Sequence, residues 1–261
     1  MGWSGKCLSW LYLYNFLKTG MKRSLLTLAL IAFVFGCQPT PEAAEAETAE
    51  AVTETAAPDP YNPKDGNLVV PTDWFVRLDR PSDDVVIGAN PDSSDVYFVN
   101  MSPGWHVTTG PAGIFYHPNS TASGNFEAQL DVHLFNPGDR QEAFGILFGG
   151  NDLMGDTQAY DYFLIRNSGE YLIKRRTGEE TITINGWTEN AAIKRYTNPE
   201  ESSVLNKLKV RAEESEVIFL INDIEVARLP RTELQTEGNV GMRVNHALNL
   251  HISDLKVEEL G

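Results

Sequence analysis

The chain has 261 residues, and 36 acidic against 21 basic side chains give it a net charge of −15 at pH 7. Such a balance lacks the clustered Lys and Arg that displace counterions from phosphate backbones, so nucleic acid is excluded as a partner. Its two cysteines, Cys7 and Cys37, leave no disulfide within a mature chain that begins at Cys37, so a hydrophobic core must hold the fold. A domain of about 190 residues suffices for that, burying roughly 70% of its unfolded surface.

In chain order, residues 1–20 carry scattered aromatics without a repeating pattern and read as an upstream extension or mis-start. Met21 opens a second possible beginning. Lys22 and Arg23 precede the apolar run Leu25 to Phe35, which stops at Gly36-Cys37. The run is shorter than the about 20 apolar residues of a membrane-spanning helix, and its charged start suits a secretory signal peptide over 21–36. Val34-Phe35-Gly36-Cys37 resembles the lipobox of bacterial lipoproteins, which implies lipidation at Cys37, a membrane partner through that anchor and a bacterial cell-envelope location. Gln38 in place of aspartate after the cysteine favours the outer membrane, by resemblance to lipoprotein sorting in Gram-negative bacteria. Removing residues 1–36 takes away Lys6, Lys18, Lys22 and Arg23 but no acid, so the charge moves from −15 to −19.

Residues 37–66 hold the lipidated cysteine and a run of Ala, Glu, Thr and Pro in which Glu42, Glu45, Glu47, Glu50 and Glu54 repel one another. With almost nothing large and apolar to bury, this segment reads as a disordered acidic tether. A flexible chain of that length spans about 30 Å r.m.s..

The pattern changes over 67–261, where short apolar runs of period two predict strands. The clearest is Asn125 to Leu134, in which every second residue is apolar. Others are Tyr160–Arg166, Tyr171–Arg175, Asn206–Ala212, Val217–Ile221, Asn239–Val244 and Leu248–Ile252. Turns fit at Asn167-Ser168-Gly169-Glu170, Thr177-Gly178-Glu179-Glu180, Glu213-Glu214-Ser215-Glu216 and Asn222-Asp223. Ala143–Phe148 is apolar almost throughout, as a strand covered on both faces would be. No convincing amphipathic helix occurs, so the expected fold is all-β, a two-sheet antiparallel β-sandwich or jelly roll, with a closed barrel as the alternative.

Several segments now resemble the concanavalin A-like lectin/glucanase jelly rolls, near the 3-keto-disaccharide hydrolase branch (domain of unknown function 1080) or the laminin G-like branch. They are Gly104-Trp105-His106-Val107, Gly113-Ile114-Phe115-Tyr116, Gly124-Asn125-Phe126-Glu127, Phe144-Gly145-Ile146-Leu147-Phe148 and Tyr160-Asp161-Tyr162-Phe163-Leu164-Ile165. Leu205 to Val210, Phe219 to Asp223, Gly238 to Met242 and Ile252 to Val257 continue the series. The resemblance implies a jelly roll that binds carbohydrate or a cell-envelope component, or alternatively a glycoside hydrolase acting on 3-keto-disaccharide-like substrates. The Glu-x-Asp-x-Glu strand of the related glucanases is absent, which favours binding over turnover.

Candidate site residues follow from the chemistry of sugars. Glu127, Gln129 and Asp131 lie in the row from Asn125 to His133, which is either a solvated sheet face or the floor of a polar groove. Glu127 and Asp131 stand roughly 13 Å apart at about 3.3 Å per residue. Paired glycosidase carboxyls stand about 5 to 9.5 Å apart. Trp187 offers an indole face for a pyranose ring, with Arg195 and Tyr196 beyond it in a segment, Trp187 to Ser203, without strand periodicity. The alternative for Trp187 is loop packing. In the loop Gly150 to Gln158, Asn151, Asp152 and Asp156 are calcium ligands if the loop is more than a plain turn, and no other cofactor is expected. The five histidines show no zinc-site spacing. Lys174-Arg175-Arg176, the one dense basic cluster, reads as a solvated strand end.

Overall fold

The computed structural model describes residues 68–261. The segments read as signal peptide, lipidation site and tether lie outside the described residues. Among the described residues no helix is long and apolar enough to cross a membrane.

Fifteen strands form two sheets. The seven-stranded sheet contains β1 (Phe75–Leu78), β5 (Gly113–Ala122), β14 (Gly238–Val244), β7 (Ala143–Asn151), β8 (Ala159–Arg166), β9 (Glu170–Thr177) and β10 (Glu180–Glu189), in that spatial order. The eight-stranded sheet runs β13 (Ile224–Pro230), β12 (Glu216–Ile221), β11 (Ser203–Ala212), β6 (Phe126–Phe135) and β15 (Asn249–Glu259). It ends with β4 (Trp105–Thr109), β3 (Val96–Asn100) and β2 (Ile87–Gly88). Every pairing is antiparallel except β2 with β3. This is the jelly roll expected from the sequence, with neither sheet closed into a barrel.

Each expected strand overlaps an observed one, with Asn125 and Leu248 one residue ahead of β6 and β15, because the apolar pattern reports burial directly. Along β11, buried residues alternate with half-buried ones from end to end. The core between the sheets is aromatic: Phe98, Phe115, Phe126, Phe144, Phe148, Phe163 and Phe219 are fully buried, each contributing about 1.5–3 kcal/mol. At Asn222-Asp223 both residues take positive φ, +51° and +65°, the geometry of a two-residue hairpin that matches the twist of β12 and β13.

Two expectations need correction. Trp187 does not open an irregular segment, because it belongs to β10. That strand is a sheet edge with both faces largely exposed, so it has no alternating pattern to betray it. Nor is β6 buried on one face only. Gln129, Asp131 and His133 are buried as well, on the face away from the core, between neighbouring strands β11 and β15.

Candidate functional site

The outward face of the seven-stranded sheet carries a second buried layer. Ile114, Tyr116, Ala143, Leu147, Leu153, Tyr160, Tyr162 and Leu164 pack together there, separate from the core between the sheets. Buried faces on both sides explain why Ala143–Phe148 reads as an unbroken apolar run. Across this face the register aligns Arg77 with Ile114, Ile114 with Arg243, Arg243 with Gly145, and Gly145 with Leu164. Gly145 offers no side chain in this row, and Arg243 reaches past it from β14 to two tyrosines of β8.

Arg243 is the centre of the layer. Only 8% exposed, it donates to both carboxylate oxygens of Asp79 at 2.9 and 2.5 Å and to the Tyr160 hydroxyl at 3.1 Å. Its guanidinium carbon also lies 5.2 Å from the centre of the Tyr162 ring. Burial works to raise the Asp79 carboxyl, but the hydrogen bond and charge of Arg243, with Arg176 and His246 behind it, outweigh burial and hold the carboxyl below its usual value. Asp79 is therefore a fixed anion. Burial pushes the Tyr162 phenol up to about 12 and raises Tyr160 too, so both remain hydrogen-bond donors at neutral pH.

Beside this layer opens a cleft of about 810 Å³. One side is formed by Arg77, Asp79, Arg80 and Pro81 at the end of β1, with Pro111, Ala112 and His246. The other is formed by Asp156 and Gln158 of the loop before β8, and by Arg176 and Glu179 at the β9–β10 turn. The loop is drawn over the sheet by Arg77, whose guanidinium donates to the carbonyls of Leu153 at 3.1 Å and Gly155 at 2.6 Å. Next to Arg77 on the same face of β1, Phe75 is 45% exposed and stacks on Tyr116, ring centres 5.6 Å apart. The face thus sets an exposed aromatic surface near a cleft rich in charged and amide groups.

The sequence candidates lie elsewhere, apart from Asp156. Glu127, Gln129 and Asp131 occupy the outward face of the eight-stranded sheet and are engaged with their neighbours. Glu127 pairs with Arg211 at 2.6 Å and Lys209 at 3.5 Å, Asp131 pairs with Lys207 at 3.3 Å, and Gln129 donates to Asp131 at 2.8 Å. Trp187, 39% exposed, sits on the edge of the other sheet with the Arg166 guanidinium 4.1 Å over its ring. Arg195 donates to the Asn167 carbonyl, and the Tyr196 amide donates to the Asn167 side chain while its hydroxyl donates to the Glu201 carbonyl. The structure brings Trp187, Arg195 and Tyr196 to the surroundings of one turn, at Asn167–Glu170, with Trp187 on β10 and Arg195 and Tyr196 in the connection to β11, apart from Glu127, Gln129 and Asp131 on β6.

In the loop read for calcium, the Asn151 amide donates to the carbonyls of Gly149 and Glu237. Asp152 accepts from the amide and hydroxyl of Thr157, and Asp156 lines the cleft. Among the described residues no group of three or more His, Cys, Asp or Glu side chains is arranged to hold a metal ion.

The basic cluster is not a solvated strand end. Arg175 is bound bidentately to the fully buried Asp161 at 2.7 and 2.8 Å, and Arg176 lines the cleft. Arg77, Asp79, Gln158 and Arg243 escaped sequence reasoning because they sit in separate segments with no motif in common. The one visible signal was the doubly apolar β7, which marks the sheet whose outer face is also built up.

No family model matches this chain, and no curated protein matches its sequence. Its fold does match solved structures. A carbohydrate-binding module of type 66 from Bacillus subtilis superposes with a TM-score of 0.51 at 12% identity, covering 72% of this chain and 96% of the module. A Bacillus subtilis protein of unknown function with a galectin-like fold gives 0.47 at 10% identity, covering 72% of this chain and 89% of its own. A family 16 glycoside hydrolase from Bacteroides ovatus gives 0.46 at 8%, covering 77% and 98%. The chain therefore shares the fold of that carbohydrate-binding module, a statement about architecture and not about activity.

Proposed function

We propose that this protein is a lipid-anchored envelope protein whose jelly roll binds carbohydrate in the cleft on the outward face of the seven-stranded sheet. The observation that carries the reading is the composition of that cleft. Guanidinium, carboxylate and amide groups from three separate segments converge on about 810 Å³, close to an exposed Phe75–Tyr116 stack. Sugar recognition needs both parts, rigid polar groups for the hydroxyls and a ring for the C–H face. The fold shared with a carbohydrate-binding module supports the same reading. Calorimetric titration against a panel of oligosaccharides tests it: the wild-type protein is expected to bind a member of the panel, and Phe75→Ala to weaken that binding while leaving the melting temperature nearly unchanged. An inert panel overturns the reading.

Binding without turnover is the favoured form of the activity. A general acid must be protonated before it can donate, and Asp79 is locked as an anion by Arg243. Release of free sugar from a 3-keto-glycoside by the pure protein would establish the hydrolase alternative instead. The anchor is tested separately. Palmitate labelling of the expressed chain is expected to be lost in Cys37→Ser.

A further inference from the structure

We infer that the cleft is selective for acidic saccharides, with the guanidinium groups of Arg77, Arg80 and Arg176 receiving a uronate carboxylate. This rests on the carbohydrate reading above and adds the chemical class of the ligand. The first support is where positive charge goes in a chain with 36 acids and 21 bases. With acids in such excess, arginines find carboxylates readily: Arg166, Arg175, Arg211, Arg228, Arg231 and Arg243 each pair with an Asp or Glu. Of the five described arginines without an ion pair, Arg77, Arg80, Arg140, Arg176 and Arg195, three line this one cleft. Arg176 donates through Nε to the Gly178 carbonyl at 2.6 Å, and its terminal nitrogens make no hydrogen bond there.

The second support is the neutralised floor. Asp79 would be the natural partner of these groups, yet both its oxygens are taken by Arg243. With Asp79 held by Arg243, the cleft sets three guanidinium groups, Arg77, Arg80 and Arg176, against two carboxylates, Asp156 and Glu179, an excess of one positive charge. A planar carboxylate accepts two parallel N–H donors from such a fork, a contact stronger than a neutral hydrogen bond and specific in direction. Asp156 and Glu179, on the same walls, accept from sugar hydroxyls and disfavour densely charged ligands. That balance suits one carboxylate per sugar ring better than multiple sulfates.

The test is titration of the full-length protein with oligohexuronates, neutral oligohexoses of equal length, and sulfated oligosaccharides. Uronates are expected to bind about tenfold or more tightly than the neutral series, as a charge-assisted contact requires, and to weaken as salt rises. Arg176→Ala and Arg80→Ala are each expected to cost uronate binding about tenfold, with Arg176→Lys recovering part of it. A melting curve for each variant separates lost contact from lost fold. Equal or tighter binding of neutral sugars overturns the inference and leaves the carbohydrate reading standing. Preference for the sulfated series, or uronate affinity unmoved by both arginine substitutions in folded protein, also overturns it. Failure of every glycan to bind removes both.

Discussion

Asp161 has no solvent exposure, and its carboxylate is satisfied by the Arg175 fork and the Gln235 amide at 2.8 Å. Removing one partner of a buried pair strands the other, which costs about 3–5 kcal/mol. Asp161→Ala is therefore expected to lower the urea midpoint sharply without changing the slope of the transition. Arg243 differs in what it controls. Arg243→Lys keeps a positive charge but cannot hold both Asp79 oxygens and Tyr160 at once, so it is expected to loosen the cleft floor and reduce glycan affinity by about tenfold. A comparison of melting temperature and affinity would show whether the second change exceeds the first. These contacts were invisible in the chain, because an Asp between two apolar residues looks the same whether it is solvated or stapled.

Among the strands, β7 shows how one residue directs a loop. Its register slips between Phe148 and Asn151, and Gly149 takes φ +61° at the slip. A Cβ there would stand 2.1 Å from the Gln235 carbonyl oxygen. Only glycine satisfies both constraints, and the bulge sets the course of the chain into the loop that Arg77 ties over the sheet. Gly149→Ala is expected to destabilise the domain by at least about 1–3 kcal/mol and to lower glycan affinity further, measured by melting and titration on the same preparation. The strand pattern itself was largely legible: β6, β8, β11, β12 and β14 fall where short apolar runs put them, although only β11 alternates in burial from end to end. Edge strands β10 and β13 escaped because little of either is buried, and alternation cannot record a face that packs against nothing.

Stability of the folded domain should depend on pH through two histidines away from the cleft. His106 and His251 are fully buried side by side on the eight-stranded sheet, ring centres 6.2 Å apart. Burial, with the charge of His251 beside His106 and that of His133 beside His251, lowers His106 to about 3 and His251 to about 4 from 6.5. The unfolded chain takes up these protons near pH 6.5 and the folded one does not, so their contribution is intact above that pH. It is lost as pH falls toward 4, at no more than about 2.7 kcal/mol per pH unit for two groups. Urea midpoints measured from pH 7 to pH 4.5 are expected to fall accordingly, and His106→Gln with His251→Gln to flatten the slope. A midpoint independent of pH in that window would contradict the burial of both rings.

Sandwich architecture followed from local facts, the alternation of apolar residues and the turn residues between runs, since burial of one strand face leaves its period in neighbouring positions. The cleft follows from distant ones. Asp79 and Arg243 lie 164 residues apart and meet because β5 and β14 sit side by side next to β1. Strand order is settled by competition among whole faces for burial, and no short window of sequence carries it. That is why the notable row from Asn125 to His133 turned out to be paired with the basic side chains of β11, while Arg77, Gln158 and Arg176, far apart in the chain, came to line one cavity.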